Sequence, residues 1–107
     1  MEKREQREQI RRIREMEKKL NAALTAVRAM DKALEKYQKA RADIRALEEY
    51  LTSPAWRADF AADEAGLLPP ALRRGVLSED GIPDLLDKND EVKSTLLELA
   101  EEPARPF

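Results

Sequence analysis

IREMEKKLNAALTAVRAMDKALEKY, residues 13–37, is the stretch from which the architecture of this chain can be read. Its apolar side chains recur at alternating intervals of three and four residues, the heptad spacing of a helix that packs along one seam. Residues 2–52 around it contain no Gly and no Pro and consist mainly of strong helix formers. The pattern predicts one long helix over about residues 2–51. The seam residues that we expect to contact another helix are Ile13, Met16, Leu20, Val27, Met30 and Leu34.

The repeat changes register after Tyr37. A strict heptad would place Arg41 and Glu48 on the seam, whereas a second apolar frame starts at Ala40. This shift by three residues resembles a stammer, and we expect the seam to face a different partner after about residue 38. A helical hairpin with its turn near Asn21 is the alternative to one continuous helix.

Capping signals divide the second half of the chain. Ser53 and Pro54 predict the start of a helix over about 54–65, and Gly66 predicts its left-handed end. One helical turn is expected at 70–74, followed by Gly75 with a positive φ. The last helix is expected at about 81–100, with its start left open around Gly81–Pro83.

These elements predict an all-α fold. One long N-terminal, coiled-coil-like helix (about 2–51) carries two or three short helices (about 54–65, 70–74 and 81–100) packed on its C-terminal half. We expect a single helical domain over 1–107, made of the long heptad helix (1–51), a compact helical region (52–100) and a frayed tail (101–107). The expected core anchors are Trp56 and Phe60, one turn apart on the second helix.

A loop from Arg74 to Asp80 has a structural interpretation of its own. We expect Gly75 to end the preceding turn and the next two residues, Val76 and Leu77, to be extended and buried. Ser78 or Asp80 should then accept hydrogen bonds from the first N–H groups of the last helix.

Composition excludes several classes of function. The 107 residues include no Cys and no His, which excludes disulfides, thiol catalysis and the commonest metal ligand. The 20 basic and 22 acidic residues give a net charge of −2. The charge is uneven, because residues 1–51 hold 14 basic and 10 acidic side chains and the remainder is acidic. No secretory signal or membrane span is apparent, so we expect a cytoplasmic protein.

Four short strings in the second half resemble a known family. They are SPAWRADF (53–60), DEAG (63–66), LP (68–69) and RGVLSED (74–80), preceded by a leading helix that includes RIREME (12–17) and LEEYL (47–51). Together they resemble the bacterial family catalogued as domain of unknown function 4298, over roughly residues 10–98. The resemblance implies a small helical protein and no particular reaction, cofactor or ligand. The sequence GIP at 81–83 departs from the family pattern.

Acidic residues offer the one candidate for chemistry. Asp59 and Asp63 lie one turn apart, and the loop could bring Glu79 and Asp80 towards them; Glu64 is a further member. Such carboxylates could hold Mg²⁺ or Mn²⁺ and support phosphoryl transfer. The structural alternatives are ion pairs with Arg73 or Arg74 and electrostatic stabilisation of a helix N-terminus.

A basic stripe on the first turns is the remaining feature. It repeats at intervals of three and four residues on the side away from the seam, and Glu residues interleave with it. A solvated helix face with i,i+4 pairs Arg4–Glu8 and Arg11–Glu15 is the simpler interpretation. The stripe comprises Arg4, Arg7, Arg11, Arg14 and Lys18.

The function expected from the sequence is therefore non-enzymatic. We expect a helical scaffold or interaction protein without cofactor, which self-associates or binds a partner helix through the heptad seam. The alternatives are a carboxylate-metal-dependent accessory enzyme acting on phosphate groups, and a weak nucleic-acid or anionic-surface binder that uses the basic stripe. No membrane partner is expected. The cellular process and the direction of any dimer are left open.

Overall fold

The computed structural model describes residues 2–102, and within that range it is all-α with no strand. This confirms the predicted fold class and its long N-terminal helix. Residues 103–107, most of the tail expected to fray, lie outside the described range. The elements are α1 (Lys3–Leu51), α2 (Pro54–Glu64), a 3₁₀ turn (Gly75–Leu77) and α3 (Gly81–Ala100).

Helix α1 is continuous over 49 residues, and none of them is buried. It passes through Asn21 without a break, and the Thr25 hydroxyl donates to the Asn21 carbonyl at 2.9 Å. The helical hairpin considered from the sequence is therefore wrong. Since no Gly or Pro interrupts residues 3–51, nothing local ends the helix before Leu51.

The chain divides into two compact units, with the boundary after Arg41. The first unit is the part of α1 up to that residue. The second starts at Ala42 and contains the last turns of α1 together with α2, the 3₁₀ turn and α3. The boundary closely follows the change of heptad register after Tyr37, and the second unit begins about ten residues before Thr52.

Hydroxyl groups connect α1 to α2. The Ser53 hydroxyl donates to the Tyr50 carbonyl at 2.6 Å and accepts from the Trp56 N–H at 3.3 Å. Ser53 has extended backbone angles, and Pro54 occupies the first turn, where its missing N–H costs nothing. The N-cap predicted at Ser53 is confirmed.

Gly66 ends α2 in the left-handed conformation, with φ +70°. Its N–H donates to the Asp63 carbonyl, and the Leu67 N–H donates to the Ala62 carbonyl, both at 3.0 Å. This pair of bonds is a Schellman motif, which satisfies carbonyls that the helix end would otherwise leave free. The sequence prediction of a left-handed cap at Gly66 is confirmed.

The short element between α2 and α3 lies later than predicted. Residues 70–74 form no helix; a single bond from the Leu72 N–H to the Pro69 carbonyl closes a turn there. Pro69 and Pro70 have no N–H to extend it. The 3₁₀ turn starts instead at Gly75, which does not have a positive φ, so the predicted left-handed Gly75 is wrong.

The buried core of the described residues is small and lies in the second unit. It consists of Leu77, 5% exposed, and Ile82, 2% exposed. Val76, predicted to be buried beside Leu77, is exposed. A 3₁₀ turn points successive side chains about 120° apart, so only one of the two neighbours can point inwards.

Helix α3 spans Gly81–Ala100, as the sequence predicts. The sequence offers Ser78 or Asp80 as the side-chain cap of this helix, and Asp80 is not the cap because its side chain makes no capping bond. Asp80 has φ −103° and ψ −19°, whereas a capping side chain needs extended backbone to reach the next N–H groups. Its backbone carbonyl instead accepts from the Asp84 N–H at 2.8 Å.

Candidate functional site

The predicted seam forms an exposed apolar face on the first unit. Its six side chains are between 38% and 66% exposed, with Val27 the most open. Monomeric soluble proteins rarely leave contiguous apolar surface of this kind uncovered. The structure places the seam residues on one exposed face of α1; they are Ile13, Met16, Leu20, Val27, Met30 and Leu34.

The apolar face is wider than the seam itself. Ile10 and Leu24 flank it and are 43% and 39% exposed. Small residues, Ala26 and Ala33, occupy the opposite flank. A face with apolar flanks buries more surface on association than a strict two-position seam does.

The basic stripe lies on the other side of α1. A shallow depression there is lined by Arg7, Ile10, Arg11 and Arg14. The ion pairs predicted for Arg4 with Glu8 and Arg11 with Glu15 are not formed: between residues 2 and 102 the ion pairs are Arg74–Asp63 and Lys88–Glu91. These arginines are solvated, which is usual for an exposed helix surface.

The two predicted core anchors stack on each other in the second unit. The rings of Trp56 and Phe60 are nearly parallel, with centroids 5.1 Å apart and an interplanar angle of 18°. Both side chains are half-buried. The Trp56 Nε1–H donates to the Val76 carbonyl at 2.8 Å, which ties α2 to the 3₁₀ turn.

Asp63 and Arg74 form a second tie between α2 and the loop. Arg74 Nη1 lies 2.7 Å from Asp63 Oδ1, and the side chains are 36% and 25% exposed, respectively. This is one of the ion pairs that the sequence offered as an alternative to a metal site.

The Ser78 hydroxyl organises the start of α3. It donates to the Gly75 carbonyl at 2.8 Å and accepts from the Gly81 N–H at 2.9 Å. Of the two capping residues predicted from the sequence, Ser78 is the one that accepts from α3. A Cβ at Gly81 would lie 2.4 Å from the Gly75 carbonyl oxygen, so the backbone approaches closely here.

The acidic residues are not brought together. Asp63 is engaged by Arg74, and Asp59 accepts from the Tyr50 hydroxyl at 2.6 Å. The side chains of Glu79 and Asp80 are exposed in the loop. Among residues 2–102 no group of three carboxylates is placed so that it could hold a metal ion.

The bond between Tyr50 and Asp59 was missed from the sequence. It joins the end of α1 to α2 across the Ser53 cap. The carboxylate accepts from the neutral phenol, and this bond is the main reason that the pKa of Tyr50 is raised above 10.0; desolvation and the charge of Asp59 act in the same direction. The sequence does contain a signal for this bond, because Tyr50 lies one turn before the predicted cap at Ser53 and Asp59 follows nine residues later.

An open groove of about 500 Å³ lies in the second unit beside the buried Ile82. Its walls are mostly apolar, and it carries no cluster of polar groups that converge on one point. The residues that line it are Leu47, Arg73, Gly75, Val76, Gly81, Ile82 and Leu85.

Comparison with known proteins places the chain in a family. The model of a family described as a domain of unknown function (DUF4298) matches residues 13–99. No curated protein and no solved structure matches the chain. None of the helices among the described residues is long and apolar enough to cross a membrane. Because the family match spans most of the sequence, from the seam to the end of α3, the chain belongs to the DUF4298 family.

Proposed function

We propose that this protein is a non-enzymatic interaction protein that associates through the apolar face of α1. The face binds either a second copy of the chain or the amphipathic helix of another protein. The second unit is the folded body of the molecule, and its loop from Arg74 to Asp80 is a structural element rather than a reaction centre.

The exposed seam is the observation that carries this proposal. Helix α1 has 49 residues and none is buried, although apolar side chains recur along one face of it. Long isolated helices gain most of their stability from packing such a face against another element. Each seam side chain that becomes buried should contribute about 1.5–3 kcal/mol, so a few layers suffice for stable association.

The bonding of the acidic residues supports a role without catalysis. Asp59 and Asp63 already have partners in Tyr50 and Arg74, and these bonds hold α2 against α1 and the loop. Here the carboxylates serve the fold.

The test is a matched pair of substitutions on α1. Val27→Asp places a charge in the middle of the seam, and Ala29→Asp places the same residue on an exposed position away from the seam. We expect Val27→Asp to lower the mass in solution towards 12.2 kDa or to reduce the helical circular dichroism sharply. Ala29→Asp should leave both close to wild type.

A wild type that is monomeric, fully helical and indifferent to Val27→Asp would contradict the proposal. So would equal losses from the two substitutions, because the effect would then follow from the poor helix propensity of Asp and not from the seam. Light scattering coupled to size exclusion and far-ultraviolet circular dichroism measure the two quantities.

A further inference from the structure

We infer that the occupant of the seam is a second copy of this chain, aligned parallel and in register. This inference rests on the proposed function, and it adds the identity and direction of the partner. It is argued from the first unit alone, because the seam and its flanks lie within that unit.

The residues at the two core positions of the heptad fit a parallel pair. Ile13, Leu20, Val27 and Leu34 occupy the first core position (a), and Met16, Ala23 and Met30 occupy the second (d). In a parallel, in-register pair each residue meets its own counterpart. Position a carries two β-branched residues, Ile13 and Val27, and position d carries no Ile, the residue that shifts parallel assemblies to three or four strands.

The charges beside the core distinguish the two directions. In a parallel, in-register pair, a residue at the g position faces the e residue five places later in the other chain. Arg12 is at g and Glu17 is at e, so each chain directs Arg12 at Glu17 of the partner subunit. Both are exposed, and neither takes part in an ion pair among residues 2–102. The two-fold axis of such a pair makes this contact twice.

An antiparallel pair places like charges together. When the two seams overlap fully in opposite directions, e positions face e positions. Glu17 would then lie beside Asp31 of the partner subunit, and two-fold symmetry would repeat the repulsion. Arg12 and Lys19, at g, would face Ala40 and Ala33 of the partner subunit and gain no opposite charge.

The apolar flank also fits the parallel arrangement. Lys19 at g faces Leu24 at e in the partner subunit, and a Lys side chain can lay its methylene groups over an apolar neighbour while its ammonium stays in water. Leu24, 39% exposed in the monomer, is then covered without burying a charge.

Single cysteines test the direction, because the chain has no Cys of its own. Met16→Cys and Met30→Cys, each alone in the full chain, are oxidised gently and run without reductant. We expect most of each variant to appear as a covalent dimer of twice 12.2 kDa, since each d position meets itself. Ala29→Cys, on the outer side of the helix, is the control and should stay monomeric on the gel.

The outcomes separate this inference from the proposed function. Suppose that the wild type is a dimer, that neither single cysteine variant cross-links, and that a mixture of Met16→Cys with Leu34→Cys does cross-link. The pair is then antiparallel. This result overturns the inference, while the proposed self-association stands. A monomeric wild type overturns the inference, and the proposed function then requires the helix of another protein as the partner.

Charge reversal provides a second measurement that needs no cysteine. Arg12→Glu and Glu17→Arg alone each place like charges across a parallel pair, so each should raise the dissociation constant several-fold. Mixing the two variants should restore dimers, now heterodimers with both contacts attractive. Dimers that ignore these changes, or that fail to recover on mixing, would overturn the parallel register.

Discussion

Gly81→Ala should destabilise the second unit, although Gly81 is the first residue of a helix and Ala is the best helix former. At an unconstrained helical site this substitution stabilises a protein by about 1 kcal/mol. Here the added Cβ would lie 2.4 Å from the Gly75 carbonyl oxygen and 2.7 Å from Ser78 Oγ. Both distances are well below the 3.4 Å at which ordinary contact begins.

The size of the destabilisation by Gly81→Ala depends on which atoms the new Cβ displaces. The Gly75 oxygen belongs to the backbone of the 3₁₀ turn and cannot rotate away, so the turn and α3 must separate by roughly an ångström. Overpacking of this kind costs about 1–3 kcal/mol. The two hydrogen bonds of Ser78, each worth about 0.5–1.5 kcal/mol, would be weakened but not lost, which adds about 1 kcal/mol. After subtracting the propensity gain of about 1 kcal/mol, we expect a net loss of about 2 kcal/mol.

The other two glycines are matched controls for this reasoning. Gly75→Ala meets no atom within 4 Å and needs no positive φ, so it should be neutral or stabilising by about 0.4–1 kcal/mol. Gly66→Ala is also free of clashes but has φ +70°, and a left-handed Ala costs about 1–2 kcal/mol.

Differential scanning calorimetry at one protein concentration measures the order. For a unit of this size, a loss of about 2 kcal/mol lowers Tm by about 8–16 °C. We expect Gly75→Ala to melt at or above wild type, Gly66→Ala below it and Gly81→Ala lowest. A Gly81→Ala protein that melts as high as Gly75→Ala would show that the 3₁₀ turn and α3 do not approach each other as described.

Four further substitutions probe the ties in the second unit. The pKa of Tyr50 is raised in the folded state by its bond to Asp59. That bond therefore stabilises the fold fully below pH 10, and the unfolding free energy falls as the pH rises above it. Tyr50→Phe should flatten this fall in a plot of unfolding free energy against pH. Trp56→Phe keeps an aromatic ring for the stack but removes the indole N–H that donates to the Val76 carbonyl. Urea denaturation should therefore show that the unfolding free energy falls by about 0.5–1.5 kcal/mol. An unchanged unfolding free energy would mean that water replaces the bond. Ser78→Ala should lower Tm and Asp80→Ala should leave it nearly unchanged, because only the serine side chain bonds to the N-terminus of α3; the reverse order would restore Asp80 as the cap.

Features that depend on neighbouring residues could be predicted from the sequence. The cap at Ser53, the left-handed Gly66 and the bounds of α3 each follow from a few adjacent residues with known backbone preferences. The same holds for the uninterrupted α1, whose residues carry no signal for a turn. Interactions between neighbouring residues determine these elements, so the sequence alone predicts them.

The region between α2 and α3 was misjudged because distant residues determine it. The 3₁₀ turn begins at Gly75 rather than at residue 70, and its Val76 carbonyl is held by the indole of Trp56, twenty residues earlier. Its Gly75 needs no positive φ, and the carbonyl oxygen of Gly75 lies close to Gly81 at the start of α3. None of these contacts leaves a periodic or capping pattern in the sequence.

The candidate site also has one part that the sequence predicts and one part that it does not. The heptad spacing identified the seam residues, and the structure places them on an exposed face. The spacing of Asp59 and Asp63 predicts that the two carboxylates act together, but each bonds to a different residue, Asp59 to Tyr50 and Asp63 to Arg74. Whether two carboxylates on one helix face share a role depends on what the rest of the fold presents to them.

The position of Trp56 gives the molecule a built-in optical reporter. It is the sole tryptophan, it lies in the second unit, and its indole is stacked on Phe60 and bonded to the 3₁₀ turn. Its emission therefore follows the opening of that unit alone. Far-ultraviolet circular dichroism, in contrast, also reports residues 3–41 of α1, the helix of the first unit. When both signals are recorded on one unlabelled sample, a loss of helix that the Trp56 emission does not follow reports the melting of the first unit.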